Sequence, residues 1–243
     1  MKRLIFGDGK VSKIIKKQSD VIIKRDECDI RDLDTIIRIL HTHNPDVVIN
    51  CAAKTNLEWC QENKKEAFEV NTLGPINLIT ACKMLGNKLV HISSGCLFDG
   101  NDKLSTEKSR PTPSVWYTWT KTWADQYMQN AGYDNYLILR PRQLISAKSH
   151  PSNMLTKFAS FDSIGGIQEA NSVTCIEDFS EMIDHLLSVG ETGIFNCCNT
   201  FSSTLNATAL SKLNISSTVS NFIGLATSLI SPEYGIIPCD EGL

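Results

Sequence analysis

"RLIFGDGKVSKIIKK", residues 3–17, decides the fold. A short apolar run leads into a glycine-rich turn, Gly7-x-Gly9-x-x-Ser12, and then into a basic segment with helical spacing. Strand, tight turn and helix in that order open a dinucleotide-binding α/β domain. Glycine lets the backbone approach a pyrophosphate, while the helix N-terminus offers free N–H groups and positive dipole. Gly7 and Gly9 fit those places. Ser12 stands where a third glycine is usual, and serine is small enough for close helix–strand packing.

Outward from this turn the chain keeps alternating. "DVIIK" (20–24) predicts a second strand, and "DIRDLDTIIRILHTH" (29–43) a helix with Leu33, Ile36, Ile37 and Leu40 at helical spacing. "PDVVINCAA" (45–53) predicts a buried strand and 61–86 one long helix. "KLVHISS" (88–94), "SVWYTWTKTWADQYMQNAG" (114–132) and "NYLILRP" (135–141) follow as strand, helix and strand. Continuous apolar runs between helical segments predict a parallel sheet covered on both faces, hence a doubly wound α/β domain. Helices are expected at 152–161, 176–190 and 203–213, with a strand at 193–198. The expected division is a dinucleotide-binding domain over 1–146 and a small, shortened C-terminal substrate lobe over 147–243, parts of which return to the main sheet.

Composition narrows the function. With 243 residues, 42% hydrophobic and 21% charged, the chain can bury a large core. A net charge of −3 lacks the basic excess of a nucleic-acid or anionic-membrane binder. No run of about 18 apolar residues is present to span a bilayer, and the N-terminal apolar run is too short for a signal peptide. Nine cysteines without a CxxC pair read as reduced thiols, so a cytoplasmic protein without a structural metal is expected. "HTH" (41–43) reads as a solvated helix end rather than a ligand pair, and "NAT" (206–208) and "NIS" (214–216) mean little without a secretory route.

Two further stretches carry chemistry. The second strand ends "IIKRDECD", where an acidic residue suits the 2′-hydroxyl of NAD and basic groups suit a 2′-phosphate. Lys24 and Arg25 come first, so NADP(H) is preferred; Asp26 and Glu27 keep NAD(H) open. Asp29 could accept from an adenine amino group or cap the next helix. Later, Tyr117 and Lys121 lie four apart and share a helix face. An ammonium there would lower the phenol's pKa. Ser94 ends a strand of the same sheet, at the carboxyl edge where such sheets bind ligands, and could hold a carbonyl oxygen for Tyr117 to protonate.

These residues, with "NCAAKTNLEWCQENKKEAFEVNTLG" (50–74) and "SSGCLFDG" (93–100), resemble the extended short-chain dehydrogenase/reductase family. Within it the chain is similar to dTDP-4-dehydrorhamnose reductases and to the reductase half of plant-type UDP-4-keto-rhamnose epimerase/reductases. The likeness covers roughly residues 2–200 and is specific over 45–146. It implies a Rossmann-like fold with Tyr117 as proton donor, Lys121 on the nicotinamide ribose and Ser94 on the substrate carbonyl. It also implies Gly7, Gly9, Lys10 and Val11 at the pyrophosphate, Asp29 and Ile30 at the adenine, Ala52, Ala53 and Lys54 at the cofactor's middle, and Asn71 in support. Cys96, Trp116, Arg142 and Asn153 would belong to the sugar-nucleotide pocket.

The implied activity is NADPH-dependent reduction of a 4-keto-6-deoxy nucleotide sugar. Gly95 replaces the acid that 4,6-dehydratases need, which argues against dehydration. The glycine loop is one residue shorter than the family's usual form, and the short C-terminal lobe leaves room for a homodimer that completes the pocket. A nucleotide-sugar epimerase with bound NAD and a non-catalytic NADP-binding regulatory subunit are the alternatives.

Overall fold

Strand β1 (Arg3–Phe6) is buried at all four positions and ends on Gly7. That glycine sits at φ 95°, in the left-handed region, and its N–H donates to the Ile23 carbonyl at 2.9 Å. A Cβ there would lie 2.8 Å from the Ala52 nitrogen and 2.9 Å from its Cα, so both conformation and space demand glycine. The computed structural model describes residues 1–100, 105–146, 153, 155–156, 171–199 and 202–203.

The main sheet has six strands in the order β2-β1-β3-β4-β5-β9. They are β2 (Val21–Ile23), β3 (Val47–Asn50), β4 (Lys88–Ile92), β5 (Tyr136–Pro141) and β9 (Gly193–Cys197), with β1 inside. β1 pairs parallel with β2 and β3, β3 with β4, and β4 with β5. The chain leaves β1 toward β2 and returns to β3 on the opposite side of β1. Connections therefore diverge at the carboxyl ends of β1 and β3, which opens a crevice there.

Around the sheet run α1 (Lys10–Ile15), α2 (Leu33–His43), α3 (Leu57–Glu62), α4 (Lys64–Phe68), α5 (Gly74–Leu85) and α6 (Trp116–Gln129), and α7 (Ile176–Ser188) follows later in the chain. Helix α2 begins later than its pattern suggested. Asp32, not Asp29, caps it, accepting the Thr35 N–H at 3.1 Å, and Asn44 ends it at φ 42°.

The single helix expected over 61–86 is three pieces. Asn63, at φ −111° and ψ 51°, separates α3 from α4. A π-helical turn, Glu69–Leu73, then takes in one extra residue before Pro75 helps to start α5. Apolar periodicity alone runs through both irregularities, because each piece buries an apolar face. Gly74 packs closely on Ile30: a Cβ there would lie 2.4 Å from Ile30 Cδ1, so that side chain would have to shift.

The chain divides into two compact units, Met1–Arg140 with Leu186–Asn196, and Pro141–His185 with the residues from Cys197 on. Within the second unit, β6 (Leu144–Ile145) pairs parallel with β8 (Thr174–Cys175), and β7 (Asn171–Ser172) antiparallel with β10 (Ser202–Ser203). Most of the expected helices at 152–161 and 203–213, and both Asn-x-Thr/Ser sites, lie outside the described residues. Among the described residues no helix is long and apolar enough to cross a membrane. His41 is exposed and His43 half-buried at the end of α2, as the solvated-terminus reading expected.

Gly7→Ala should destabilise the protein by about 2–3 kcal/mol, since the new methyl meets both a left-handed φ and the Ala52 backbone. Urea unfolding of the two proteins checks this. An unchanged midpoint would contradict it.

Candidate active site

A cleft of about 280 Å³ opens at the divergence point of the sheet. Gly7, Gly9, Arg25, Asp29, Ile30, Ala52, Ala53 and Lys54 line it, together with Asp8, Cys28, Cys51 and Val70. Its volume falls just short of the usual range of ligand sites, about 300–1,000 Å³. The first eight were expected from the sequence and the last four were not. Cys51 follows β3 directly, so its place was legible once Ala52 was assigned. Val70 and Cys28 offered only an apolar signal.

Gly9 tests whether the cleft suits a dinucleotide. Its φ of −73° is ordinary, and a Cβ built on it would meet nothing within 4 Å. Nothing in the chain's own packing demands glycine there, so the bare backbone leaves room for a phosphate. Ser12 is fully buried, and its hydroxyl donates to the Gly9 carbonyl at 2.9 Å. Lys10 and Val11 occupy the first turn of α1 outside the cleft wall.

Arg25 reaches the cleft and Lys24 does not. The Arg25 side chain is 60% exposed, with Glu66 at 3.4 Å and Asp29 at 3.9 Å. Asp29 is held chiefly by Arg31, at 2.6 Å, whose hydrogen bonds keep its carboxyl below the usual range. Lys54 Nζ lies 3.6 Å from Glu66 and 4.3 Å from the Trp59 ring centre.

Asn71 sits in the π-helical turn and is fully buried. Its Oδ1 accepts the Lys54 N–H at 2.8 Å, while its Nδ2 donates to the Lys54 carbonyl at 2.8 Å and to Thr120 Oγ1 at 3.2 Å. Asn71 thus fixes the cleft wall to α6 instead of lining the cleft. Thr72 Oγ1 adds a bond to the Thr120 carbonyl at 2.8 Å.

Ser94 follows β4 and starts a single 3-10 turn, Gly95–Leu97, by accepting the Cys96 N–H at 3.1 Å. The Ser94 hydroxyl lies close enough to the Tyr117 phenol to favour its ionised form. The structure therefore brings together two groups that lie 23 positions apart in the sequence. Tyr117 is 8% exposed and packs with Cys60 and Ala67. Burial pushes its phenol up, with Ser94 pulling the other way. The expectation of a phenol lowered by Lys121 fails here, because desolvation dominates and the lysine bonds elsewhere.

Lys121 Nζ donates to the Ile92 carbonyl at 2.8 Å and lies 3.4 Å from His91 Nε2. Burial lowers it to about 8, against the pull of Asp125 one turn on. Asp125 is fully buried and pairs with Arg140 at 2.9 Å, and Arg140 lies 5.6 Å from the Phe98 ring centre. Behind the lysine, His91 Nδ1 meets Asn50 Nδ2 at 3.1 Å. Sequence reasoning missed Asn50, His91 and Asp125; the signal was polar residues inside apolar strand and helix faces.

The weaker assignments fare differently. Trp116 donates its indole N–H to the Lys64 carbonyl at 2.9 Å and meets Trp123 edge-on. Cys96 is half-buried beside Ser94. In the second unit Arg142 donates its N–H to Thr174 Oγ1 at 2.9 Å. Asn153, buried, donates to the Ser146 carbonyl at 2.8 Å. Trp116 and Asn153 therefore brace the fold with their polar atoms.

The pattern described as "RmlD substrate binding domain" matches residues 7–232. The chain is 28% identical over 182 residues to the bifunctional dTDP-4-dehydrorhamnose 3,5-epimerase/dTDP-4-dehydrorhamnose reductase of Arabidopsis thaliana, covering 70% of this chain and 59% of that one. It thus spans less than two thirds of that relative. Its fold resembles the dTDP-4-dehydrorhamnose reductase of Clostridium acetobutylicum, with a TM-score of 0.78, 24% identity and coverage of 94% and 81%. The enzyme of that name from Bacillus anthracis, solved with NADP, gives a TM-score of 0.79 at 20% identity with the same coverage. The expected Rossmann-like, doubly wound class agrees with both.

Arg140→Leu should cost about 3–5 kcal/mol of stability, because it leaves the Asp125 carboxylate buried without its partner. Replacing both residues with leucine should recover at least half of that loss. Chemical denaturation of the single and double variants measures both.

Proposed function

The chain belongs to the RmlD substrate-binding domain family, and on that premise we propose that it is an NADPH-dependent reductase of a 4-keto-6-deoxy nucleotide sugar. The observation that carries the reading is the placing of Ser94, past the carboxyl end of β4, beside the phenol of Tyr117, which lies one helical turn from a buried Lys121.

The division of labour follows from the environments. Gly7, Gly9, Ala52, Ala53 and Lys54 would hold the cofactor along the cleft, with Ile30 and Asp29 at its adenine end. When bound, NADPH supplies the hydride. Ser94 Oγ accepts the Cys96 N–H and keeps its own proton, which would be donated to an incoming ketone oxygen. Tyr117 is kept protonated by burial, the state a donor needs, and passes its phenolic proton to that oxygen. Lys121, held by the Ile92 carbonyl, would meet the nicotinamide ribose.

Arg25 supports the choice of NADPH. Its ion pairs with Glu66 and Asp29 are long and exposed, so they hold it weakly and leave it available to a 2′-phosphate. Action in the cytoplasm, and pairing of two chains to complete the sugar side, belong to the same proposal.

The purified protein should oxidise NADPH in the presence of a dTDP- or UDP-linked 4-keto-6-deoxy sugar. Tyr117→Phe should cut kcat by about 10²–10⁴-fold with cofactor affinity unchanged. Retained turnover would defeat the assignment of Tyr117. Cofactor binding without any turnover in the parent protein would favour a regulatory role instead. Arg25→Ala should raise KM for NADPH about tenfold and leave that for NADH unchanged; equal effects on both would remove Arg25 from the 2′-phosphate.

A further inference from the structure

Behind Lys121 lies a buried polar pair that the reaction above does not use. Asn50 ends β3 and His91 faces it in register on β4. Both are almost fully buried. Hydrogen-bond bookkeeping constrains them tightly. The Ala52 N–H lies 3.0 Å from one terminal atom of the Asn50 amide, which must therefore be the oxygen. The Asn50 NH₂ then faces His91 Nδ1 at 3.1 Å, so Nδ1 must be the unprotonated nitrogen.

The ring is neutral, since burial and the neighbouring Lys121 hold it well below the usual histidine range. A neutral imidazole with a bare Nδ1 carries its proton on Nε2. That N–H points at Lys121 Nζ, 3.4 Å away. An ammonium has no lone pair with which to accept it, whereas a neutral amine does. The arrangement closes without conflict only with Lys121 as an amine that donates to the Ile92 carbonyl and accepts from His91.

We propose that His91 is a positioning residue that, with Asn50, couples the charge of Lys121 to the Ala52 N–H in the cofactor cleft. When Lys121 takes one proton from solvent, the ring proton must sit on Nδ1 so that Nε2 can accept from the ammonium. The ring stays neutral and no other proton is gained or lost. Asn50 must then turn its oxygen to Nδ1, and the Ala52 N–H loses its partner. A charged lysine therefore comes with a free donor in the cleft wall, and an uncharged lysine with a satisfied one.

The groups facing Lys121 are Asp125 on its own helix, Arg140 of β5 through Asp125, Cys51 beyond β3, and His91 of β4. Asp125 favours the ammonium, as does Cys51 if ionised, but burial holds that thiol up at about 12, so it stays neutral near pH 8. Only His91 changes its hydrogen-bonding sense with the lysine.

The inference stands on hydrogen-bond geometry around a neutral, buried ring; its bearing on catalysis rests on the proposed reductase reading. Nitrogen NMR of the cofactor-free protein tests it, following His91 Nδ1 and Nε2 and the Lys121 amine from pH 6 to 10. The expected result is a ring neutral throughout, protonated on Nε2 at high pH and on Nδ1 at low pH. Both changes should share one midpoint with Lys121, near 8. A charged ring at pH 6–7, or a tautomer that stays fixed while Lys121 titrates, would overturn it. In His91→Phe the Asn50 amide has no ring to follow, so the Ala52 N–H resonance, which should move with the Lys121 titration in the parent, should no longer do so; a shift that persists would count against the coupling. If that variant does not fold, the parent titration still decides. Because no substrate is used, failure of ketone reduction would leave this result standing, and the converse holds as well.

Discussion

Burying an amine is the constraint around which the site is organised. Lys121 is 1% exposed, and a charge without partners at such a place costs several kcal/mol. The chain meets this with the Ile92 carbonyl, the Asp125–Arg140 pair one turn along, and an imidazole that cannot compete for charge. Those partners come from β4, β5 and α6, so the helix can dock in only one rotation. Tyr117, one turn before Lys121, is thereby delivered to the end of β4, where Ser94 waits.

The second requirement is a wall that stays put while a ligand enters. Asn71 supplies it by bonding both backbone polar groups of Lys54 and the hydroxyl of Thr120. One amide thus ties the cleft to the helix carrying Tyr117 and Lys121. Trp116 does a similar service on the outer side by reaching the Lys64 carbonyl. Family membership rests on the match over residues 7–232, while the activity is argued from these contacts.

Much of this was legible in the residues themselves. Buried runs such as "VVIN" and "LILR" announce a parallel sheet, because both faces must be apolar, and Gly7 marks the turn because no other residue suits it. The lining of the cleft was equally readable, since it follows strand ends. What escaped were interactions whose meaning depends on distant partners. His91 looks like a stray polar residue in a strand until Asn50 and Lys121 stand on either side. Asp29 looks like a helix cap until Arg31 is seen to hold it. Break points inside 61–86 were hidden because apolar spacing tolerates a pause that backbone angles do not.

That pause has a further meaning for what the chain can become. A helix that has absorbed one surplus residue at Glu69–Leu73 presents everything after it about 100° further round than it otherwise would. Trimming a residue there would restore regular winding but swing Leu78, Ile79 and Cys82 of α5 away from the sheet they now cover. The length of this segment is thereby locked as firmly as the buried amide of Asn71 within it.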